Sequence, residues 1–267
     1  MNNFKNIFAD ELYVGKGTFI SPTAIIRGIN GNAKKIILGD NCYIGDGVQI
    51  ICDEFSLGDY CKIHHHTNIH GYLPCAIGHN AWIGQYSIID SIGGVNIGNN
   101  CGIGAHSQLW SHIKFGDTLE GCRFLSEKRM NIGNDVWFVG HCIVSPIDAQ
   151  DKSMAMVGSV VTKDMHYNEI YAGSPAKSIS DKIGFQFNEI SIENKLDKMV
   201  KYLQEWNHKS EKIKIVMTIE DIDLNNEEFT FFNITNRTYT KRNSPEEISF
   251  MNFLLPAKAK FVPLQYL

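Results

Sequence analysis

The sequence predicts an all-β solenoid, a parallel β-helix, followed by a small C-terminal α+β appendage. Two observations carry this prediction. Apolar residues recur every six positions through five groups of three hexads, which begin at residues 38, 57, 77, 97 and 132. The six-residue pattern stops near residue 184, and apolar spacings typical of helices and strands replace it. A short fixed period is the signature of a solenoid whose coils bury a core only by stacking.

The first position of each hexad is apolar in every group, although only 43% of the chain is apolar. These positions are Leu38, Ile44, Ile50, Leu57, Ile63, Ile69, Ile77, Ile83, Ile89, Ile97, Ile103, Leu109, Ile132, Phe138 and Val144. We expect them to point inward from short strands. Glycine, asparagine and aspartate cluster next to them, because these residues tolerate the backbone conformations of sharp corners.

The fifth position of the first two hexads in each group is small or β-branched. It includes Cys42, Cys61, Cys101 and Cys142, which we therefore interpret as small buried apolar residues and not as reactive thiols. The chain has seven cysteines and no CxxC pair, so the sequence indicates neither a disulfide framework nor a zinc knuckle. A reducing compartment fits this pattern.

The elements follow in order along the chain. Residues 1–13 form an N-terminal cap, and residues 14–183 form the β-helix, whose first coil is weaker in pattern. The third hexad of each group breaks the small-residue rule, so loops should project from one corner, and the longest spans about 113–131. Residues 184–267 form the appendage, with helices near 189–208 and 246–255 and strands near 212–218 and 229–234.

Charge and hydropathy exclude two classes of partner. There are 25 Lys and Arg against 29 Asp and Glu, a formal charge of −4, so no basic field is present to hold nucleic acid. No apolar run approaches the roughly 20 residues of a membrane helix. The N-terminus has no apolar segment typical of export signals. We expect a cytoplasmic protein.

Three closing segments, IGNDVWFVGHCIVSP, MVGSVVTKDM and YAGSPAK, resemble the last coils of acetyl-CoA-dependent members of the hexapeptide-repeat acyltransferase family. The resemblance covers about Val14 to Ser180. It implies a left-handed β-helix, a homotrimer, active sites between neighbouring chains, and acetyl-CoA or another acyl-CoA in the groove. No glycine-rich nucleotide-binding segment precedes the repeats, which argues against the sugar nucleotidyltransferases of this fold.

In the family, a catalytic histidine often lies where a loop leaves a coil, and His112 occupies that place. His70, Asp90 and Trp110 share one hexad position in successive coils, so we expect an outward column with Asp90 near His112. A carboxylate beside a histidine fixes its tautomer and stabilises the imidazolium. We therefore assign His112 as base with Asp90 as its partner, and His70 and Trp110 to substrate binding.

A second column of outward residues lies at a corner and contains His66, Tyr86, His106 and His141. His106 is the second candidate for the base and His141 is the third. The resemblance also implies a binding site for acyl-CoA. Its residues would be Trp137, Gly140, Gly158, Ser159, Lys163 and Lys177. The pantetheine arm would approach the backbone of the two glycines and Ser159, and the two lysines would contact the phosphates of CoA.

The leading hypothesis is an acyl-CoA-dependent acyltransferase that N-acetylates an amino sugar carried on a nucleotide, for surface glycan synthesis, without a metal. O-acetylation of a sugar is a close alternative. A zinc lyase like the γ-type carbonic anhydrases would need His70, His106 and His112 as ligands, and their spacing misses that family's register. The last alternative is a non-catalytic scaffold.

Overall fold

The computed structural model describes residues 5–206 and 210–264, which form two compact units, Met1–Phe187 and Asn188–Leu267. The first unit is a parallel β-helix with three faces. Most strands have two to four residues and alternate with sharp corners, and equivalent strands of neighbouring coils pair in parallel.

Each face is a sheet whose strands we list in chain order. The first sheet contains Ile25–Arg27, Gln49–Cys52, Asn68–Gly71, Ile88–Asp90, Gln108–Leu109, Ile143–Val144 and Val160–Val161. The second contains Ala33–Leu38, Glu54–Leu57, Cys75–Ile77, Val95–Ile97, Met130–Ile132 and Asp148–Ala149. The third contains Phe19–Ile20, Tyr43–Ile44, Lys62–Ile63, Trp82–Ile83, Gly102–Ile103, Trp137–Phe138, Met154–Ala155, Ile170–Gly173 and Ala176–Ser178.

The first strand of the chain, Ile7–Val14, joins two faces. It pairs in parallel with Ile25–Arg27 of the first sheet and with Ala33–Leu38 of the second sheet. The N-terminal segment expected to be a cap therefore contributes a strand to the β-helix. At the other end, the antiparallel pair Ile170–Gly173 and Ala176–Ser178 and the short helix Ser180–Ile183 finish the coils.

The hexad pattern sets the core as predicted. All fifteen first-position residues are buried, with at most 3% of their surface exposed, and all ten small fifth-position residues are buried as well. Equivalent residues align in register, so that Ile83 lies between Ile63 and Ile103 in neighbouring coils. Because each coil supplies only a few inward side chains, the core is continuous only along the stack.

The cysteines are confirmed as buried apolar residues. All seven are free thiols, and six of them are buried. The thiols of Cys42, Cys61 and Cys101 each donate to a backbone carbonyl of the following coil, and the S···O distance is 3.0 Å in all three cases. A small side chain with a weak donor therefore suits the narrow space behind each corner.

One corner carries a ladder of hydrogen bonds that the hexad pattern does not predict. A side chain in each coil accepts a backbone N–H from the coil before it, at 2.6–2.9 Å. The acceptors are Asp40, Asp59, His79, Asn99, Asn134 and Asp151. These bonds satisfy amides that the corner removes from the strand ladders.

The loop expected at 113–131 leaves the corner between the first and second sheets. It contains an antiparallel hairpin of strands His112–Lys114 and Leu125–Glu127, which the sequence reading did not foresee. Phe115, Leu119 and Phe124 lie at its tip and are 103%, 91% and 72% exposed. The hairpin therefore presents apolar side chains that the chain itself leaves uncovered.

The second unit combines two helices and a four-stranded sheet. The helices are Ile192–Glu205 and Pro245–Leu254, and the strands in sheet order are Ile213–Val216, Thr230–Asn233, Thr238–Tyr239 and Val262–Pro263. Its core contains the rings of Phe232, Tyr239, Phe250 and Phe261, with centroids 5.1–5.5 Å apart around Phe232. In the part of the chain that the structure describes, no helix has the length and apolar character needed to cross a membrane.

Candidate functional site

A fully buried carboxylate, Asp90, is the centre of the candidate site. Its Oδ2 atom accepts a hydrogen bond from Nδ1 of His112 at 2.7 Å. The same oxygen accepts bonds from the backbone N–H of Ser111 at 2.9 Å and from its Oγ at 3.0 Å. Three donors on one oxygen stabilise a charge that burial would otherwise disfavour.

The coil architecture brings these residues together. Asp90 ends the strand Ile88–Asp90, and in the register of the first sheet it pairs with His70 one coil earlier. One coil later the chain leaves the sheet after Leu109, and Ser111 and His112 begin the hairpin. The Oγ of Ser111 also accepts the backbone N–H of Gly93 at 2.8 Å, which fixes the start of the hairpin against the coil.

The structure corrects one expectation about this column. Asp90 was expected to point outward, but none of its surface is exposed. Its side chain lies beneath Ser111 and His112, because the hairpin turns back over the end of the strand. His70 and His112 remain partly accessible, with 37% and 20% of their side chains exposed.

A groove of about 460 Å³ lies on the outer face of the first sheet beside this cluster. His70 and Trp110, both assigned to substrate binding from the sequence, line it. The other lining residues are mostly apolar: Ile29, Ile51, Asn68, Gly71, Tyr72, Ile88 and Ile92. The rings of Trp110 and His112 are 6.2 Å apart in an edge-on arrangement, so the groove adjoins His112.

The alternative bases, His106 and His141, lie elsewhere on the β-helix. They belong to a ladder of exposed rings, His66, Tyr86, His106 and His141, whose centroids are 5.1, 5.2 and 4.8 Å apart. All four residues have left-handed backbone conformations at a corner. Among the described residues neither histidine has a carboxylate contact, whereas His112 has one at 2.7 Å.

In this geometry the imidazole of His112 can accept a proton at Nε2. With Nδ1–H donated to the carboxylate, the neutral ring carries its lone pair on Nε2. A proton taken up at Nε2 creates an imidazolium that Asp90 stabilises directly. The tautomer assignment follows from the bonding partner of Nδ1, which is an acceptor.

The residues expected to hold acyl-CoA are distributed over the last coils. Trp137 is 45% exposed and packs over Gly102 of the preceding coil. Gly140 and Gly158 adjoin at a corner, where the N–H of Gly158 donates to the carbonyl of Gly140 at 2.9 Å. Lys163 and Lys177 are exposed, and among the described residues neither forms an ion pair.

Ser159 is predicted to offer its backbone, not its side chain, to acyl-CoA. Its side chain is fully buried, because it occupies the inward fifth position of its hexad. Its N–H donates to the carbonyl of Met156 and its carbonyl accepts from Ile143. Both backbone groups are therefore already hydrogen-bonded within the coils.

The three histidines of the zinc alternative do not gather within the described chain. His70 and His112 both face Asp90, but His106 belongs to the ring ladder. Across residues 5–206 and 210–264, no group of three His, Cys, Asp or Glu side chains has a geometry that could hold a metal ion.

Sequence reasoning missed two polar residues that support the site. Ser111 donates twice to Asp90, and the Oδ1 of Asn68 lies 2.8 Å from Nδ1 of His70. Both lie next to histidines already singled out, at one and two residues' distance. Their hexad positions alone gave no signal, because polar residues at outward positions are common in every coil.

Comparison with known proteins supports the assignment of the fold. No family model matches the sequence. The solved structure of the polysialic acid O-acetyltransferase OatWY superimposes with a TM-score of 0.50 at 19% identity, over 67% of this chain and 90% of that one. This chain has a left-handed β-helix fold built from six-residue repeats. The resemblance expected from its closing segments is confirmed at the level of the fold.

Two curated relatives of this hexapeptide-repeat protein match over short stretches. The bifunctional protein GlmU of Anaplasma marginale is 34% identical over 111 residues, which are 39% of this chain and 23% of GlmU. The galactoside O-acetyltransferase of Escherichia coli is 38% identical over 53 residues, which are 20% of this chain and 26% of that enzyme. The chain therefore spans about a quarter of the length of these relatives.

Proposed function

We propose that the protein is an acyl-CoA-dependent acyltransferase in which His112 is the general base. One observation carries the proposal: the 2.7 Å bond from His112 to the buried carboxylate of Asp90, beside a groove of about 460 Å³. The hexapeptide-repeat fold adds support, because the relatives named above include two O-acetyltransferases. Fold alone would not assign an activity, so the site carries the argument.

The site residues divide the reaction into two proton movements. Nε2 of His112 takes a proton from the amine or hydroxyl of the acceptor as its nitrogen or oxygen attacks the thioester carbonyl. Asp90 stabilises the resulting imidazolium. When the carbon–sulfur bond breaks, His112 returns the proton to the departing thiolate, which leaves as the free thiol of CoA.

The acceptor in this proposal is an amino sugar carried on a nucleotide, and it enters the groove against Trp110. The apolar lining suits the hydrophobic faces of a sugar ring, and Asn68 offers a polar contact at the edge. O-acetylation of a sugar hydroxyl is the second candidate. The names of OatWY and of the galactoside enzyme favour it, since both act on hydroxyl acceptors.

The donor in this proposal is acetyl-CoA or another acyl-CoA, held by the last coils. Trp137, Gly140 and Gly158 would lie along the pantetheine arm, and Lys163 and Lys177 would meet its phosphates. Ser159 would contribute its backbone beside Gly158, with its side chain buried in the coil. The working assembly is a homotrimer in which these residues face His112 of a neighbouring chain.

The proposal is tested by measuring release of the CoA thiol with a panel of nucleotide-linked amino sugars and unmodified sugar hydroxyl acceptors. We expect turnover with a member of the first group. His112→Ala should lower kcat/KM by roughly 10²–10⁴-fold, because no base then takes the proton from the attacking amine or hydroxyl.

His106→Ala is the matched control, since it removes an exposed imidazole from the ring ladder. We expect less than a threefold change for this variant. The assignment of the base would be wrong if His106→Ala abolished turnover while His112→Ala retained it. Absence of thiol release with every acceptor would contradict the proposed function itself.

A further inference from the structure

The two oxygens of Asp90 are held unequally. Oδ2 accepts three hydrogen bonds, whereas Oδ1 is buried and has no hydrogen-bond partner among the described residues. Nε2 of His70 lies 3.7 Å from Oδ1. A buried carboxylate oxygen without a donor is costly, so the group that faces it matters for the whole cluster.

His70 has both ring nitrogens turned toward protein groups. Nδ1 lies 2.8 Å from Oδ1 of Asn68, and Nε2 faces Oδ1 of Asp90. Asn68 is itself placed by its Nδ2, which donates to Gln49 at 3.5 Å. The ring therefore offers the groove its edge and face, and its two polar atoms point to Asn68 and Asp90.

We propose that His70 is a positioning residue that acts on His112 through Asp90. In its imidazolium form, His70 donates Nδ1–H to Asn68, and its Nε2–H faces Oδ1 of Asp90 across 3.7 Å. The electrostatic attraction between this N–H and the carboxylate oxygen favours one rotation of the carboxyl group. Because Oδ2 receives Nδ1–H of His112, that rotation sets the direction of the imidazole and of its Nε2 lone pair. The inference rests on the proposed function and changes the expected role of His70 from substrate contact to positioning.

The geometry favours positioning over substrate contact for a physical reason. A residue that binds the acceptor substrate keeps a hydrogen-bonding atom free to contact it. Both nitrogens of His70 are instead directed at protein side chains. In contrast, an orienting group should alter the chemical step more than binding. Removal of a carboxylate that orients a catalytic histidine lowers kcat by up to about 10⁴-fold. Removal of His70, which contacts that carboxylate and not the histidine, should lower kcat by less.

The test compares His70→Phe with His70→Gln. Phenylalanine keeps an aromatic ring in an apolar groove but has no donor for Asp90. The amide nitrogen of glutamine can reach the place of Nε2. We expect His70→Phe to lower kcat by about tenfold with the acceptor KM changed by less than about threefold, and His70→Gln to keep at least half of the wild-type kcat.

A double-mutant cycle separates positioning from independent action. In the His112→Ala background, His70→Phe should cause almost no further loss of kcat, because the residue that it positions is gone. Multiplicative losses in the double variant would overturn the proposal. So would a tenfold rise of the acceptor KM at unchanged kcat, or equal losses in the Phe and Gln variants.

A spectroscopic measurement keeps the inference independent of turnover. In protein labelled with ¹⁵N-histidine, the Nδ1 proton of His112 should give a resonance typical of a strong hydrogen bond. We expect this resonance to shift or broaden in His70→Phe and to be retained in His70→Gln. An unchanged resonance in folded His70→Phe would overturn the proposal, even if no acceptor in the panel were acylated and the proposed function had failed.

Discussion

At the scale of single residues, the six-residue pattern places chemically different side chains in equivalent surroundings. Cysteine, serine, threonine, alanine and valine all occupy the small inward position and are all buried. What distinguishes them is how each satisfies its polar atom. The hydroxyl of Thr67, for example, donates to the carbonyl of Gly84 at 3.0 Å.

Because the thiols are buried, we expect the free energy of unfolding to fall as the pH rises through the alkaline range. Burial raises the pKa of the Cys52 thiol from 9.0 to about 11, and it also raises the pKa of the Cys61 and Cys75 thiols. The native state therefore holds these protons more tightly than the unfolded chain. The stabilisation is fully present below pH 9 and is lost as the pH rises toward 11.

For Cys52 alone, we expect the free energy of unfolding to fall by about 1 kcal/mol between pH 8 and pH 10. Urea unfolding under reducing conditions at the two pH values measures this loss. Cys52→Ala is the control, because it removes the titrating thiol, and its stability should fall less over the same interval. Equal losses in the two proteins would contradict the assigned cause.

At the scale of elements, neighbouring positions of one short strand contribute very unequally to the free energy of unfolding. The strand Lys62–Ile63 contains an exposed lysine and a fully buried isoleucine. Ile63 packs between the equivalent Ile44 and Ile83 of adjoining coils. The strand is too short to be stable alone, so its energy comes from this stacking.

We therefore expect Ile63→Ala to lower the free energy of unfolding by roughly 2–5 kcal/mol, through lost burial and a cavity. Lys62→Ala in the same strand should change it by less than about 0.5 kcal/mol. Urea denaturation followed by circular dichroism measures both. Similar effects of the two substitutions would show that the hexad register is wrong.

The hairpin His112–Lys114 and Leu125–Glu127 gives a second prediction at this scale. Its exposed tip residues, Phe115, Leu119 and Phe124, bury almost nothing within the chain. Changing all three to serine should leave the intrinsic stability of the β-helix nearly unchanged. In a homotrimer that buries the tip, the same change should shift the sedimentation mass toward the monomer, because apolar burial is lost.

Glu120→Ser is the control for the hairpin, since it changes a polar residue of the same tip. A sedimentation mass that does not respond to the triple change would remove the hairpin from the assembly contacts. The base of this hairpin carries His112, so the triple variant also reports whether the tip influences turnover.

At the scale of the whole molecule, the chain divides into two units with separate cores. The coils of Met1–Phe187 contain the apolar hexad core, and Asn188–Leu267 contains the aromatic cluster around Phe232. The chain between them, from residue 181 to 195, is almost entirely exposed. Exposed connections between compact units are preferred sites of proteolysis.

We expect limited proteolysis to cleave first within residues 184–191 and to release two fragments that resist further digestion. Mass spectrometry of the products locates the cut. First cleavage inside the coils between residues 38 and 110 would contradict this division, because the strands of those coils are paired with neighbouring coils on both sides.

The sequence determined the β-helix because its information is local and repeated. Each hexad places one apolar and one small residue inward, so fifteen equivalent choices agree and only one register buries them all. The same register placed Asp90 one coil from His70. His112 follows the strand Gln108–Leu109 of the next coil, which brings it near Asp90. Both helices of the appendage and two of its four strands, Ile213–Val216 and Thr230–Asn233, also followed their apolar spacing.

Tertiary structure decided what the repeat could not encode. The path of an insertion is set by contacts outside the hexad rule, so only the structure showed that residues 112–127 form a hairpin which covers Asp90. Burial of that carboxylate and its hydrogen bonds from Ser111 and His112 depend on this cover. A period of six residues fixes which side chains point inward, whereas the direction of a polar side chain at the surface depends on whatever lies above it.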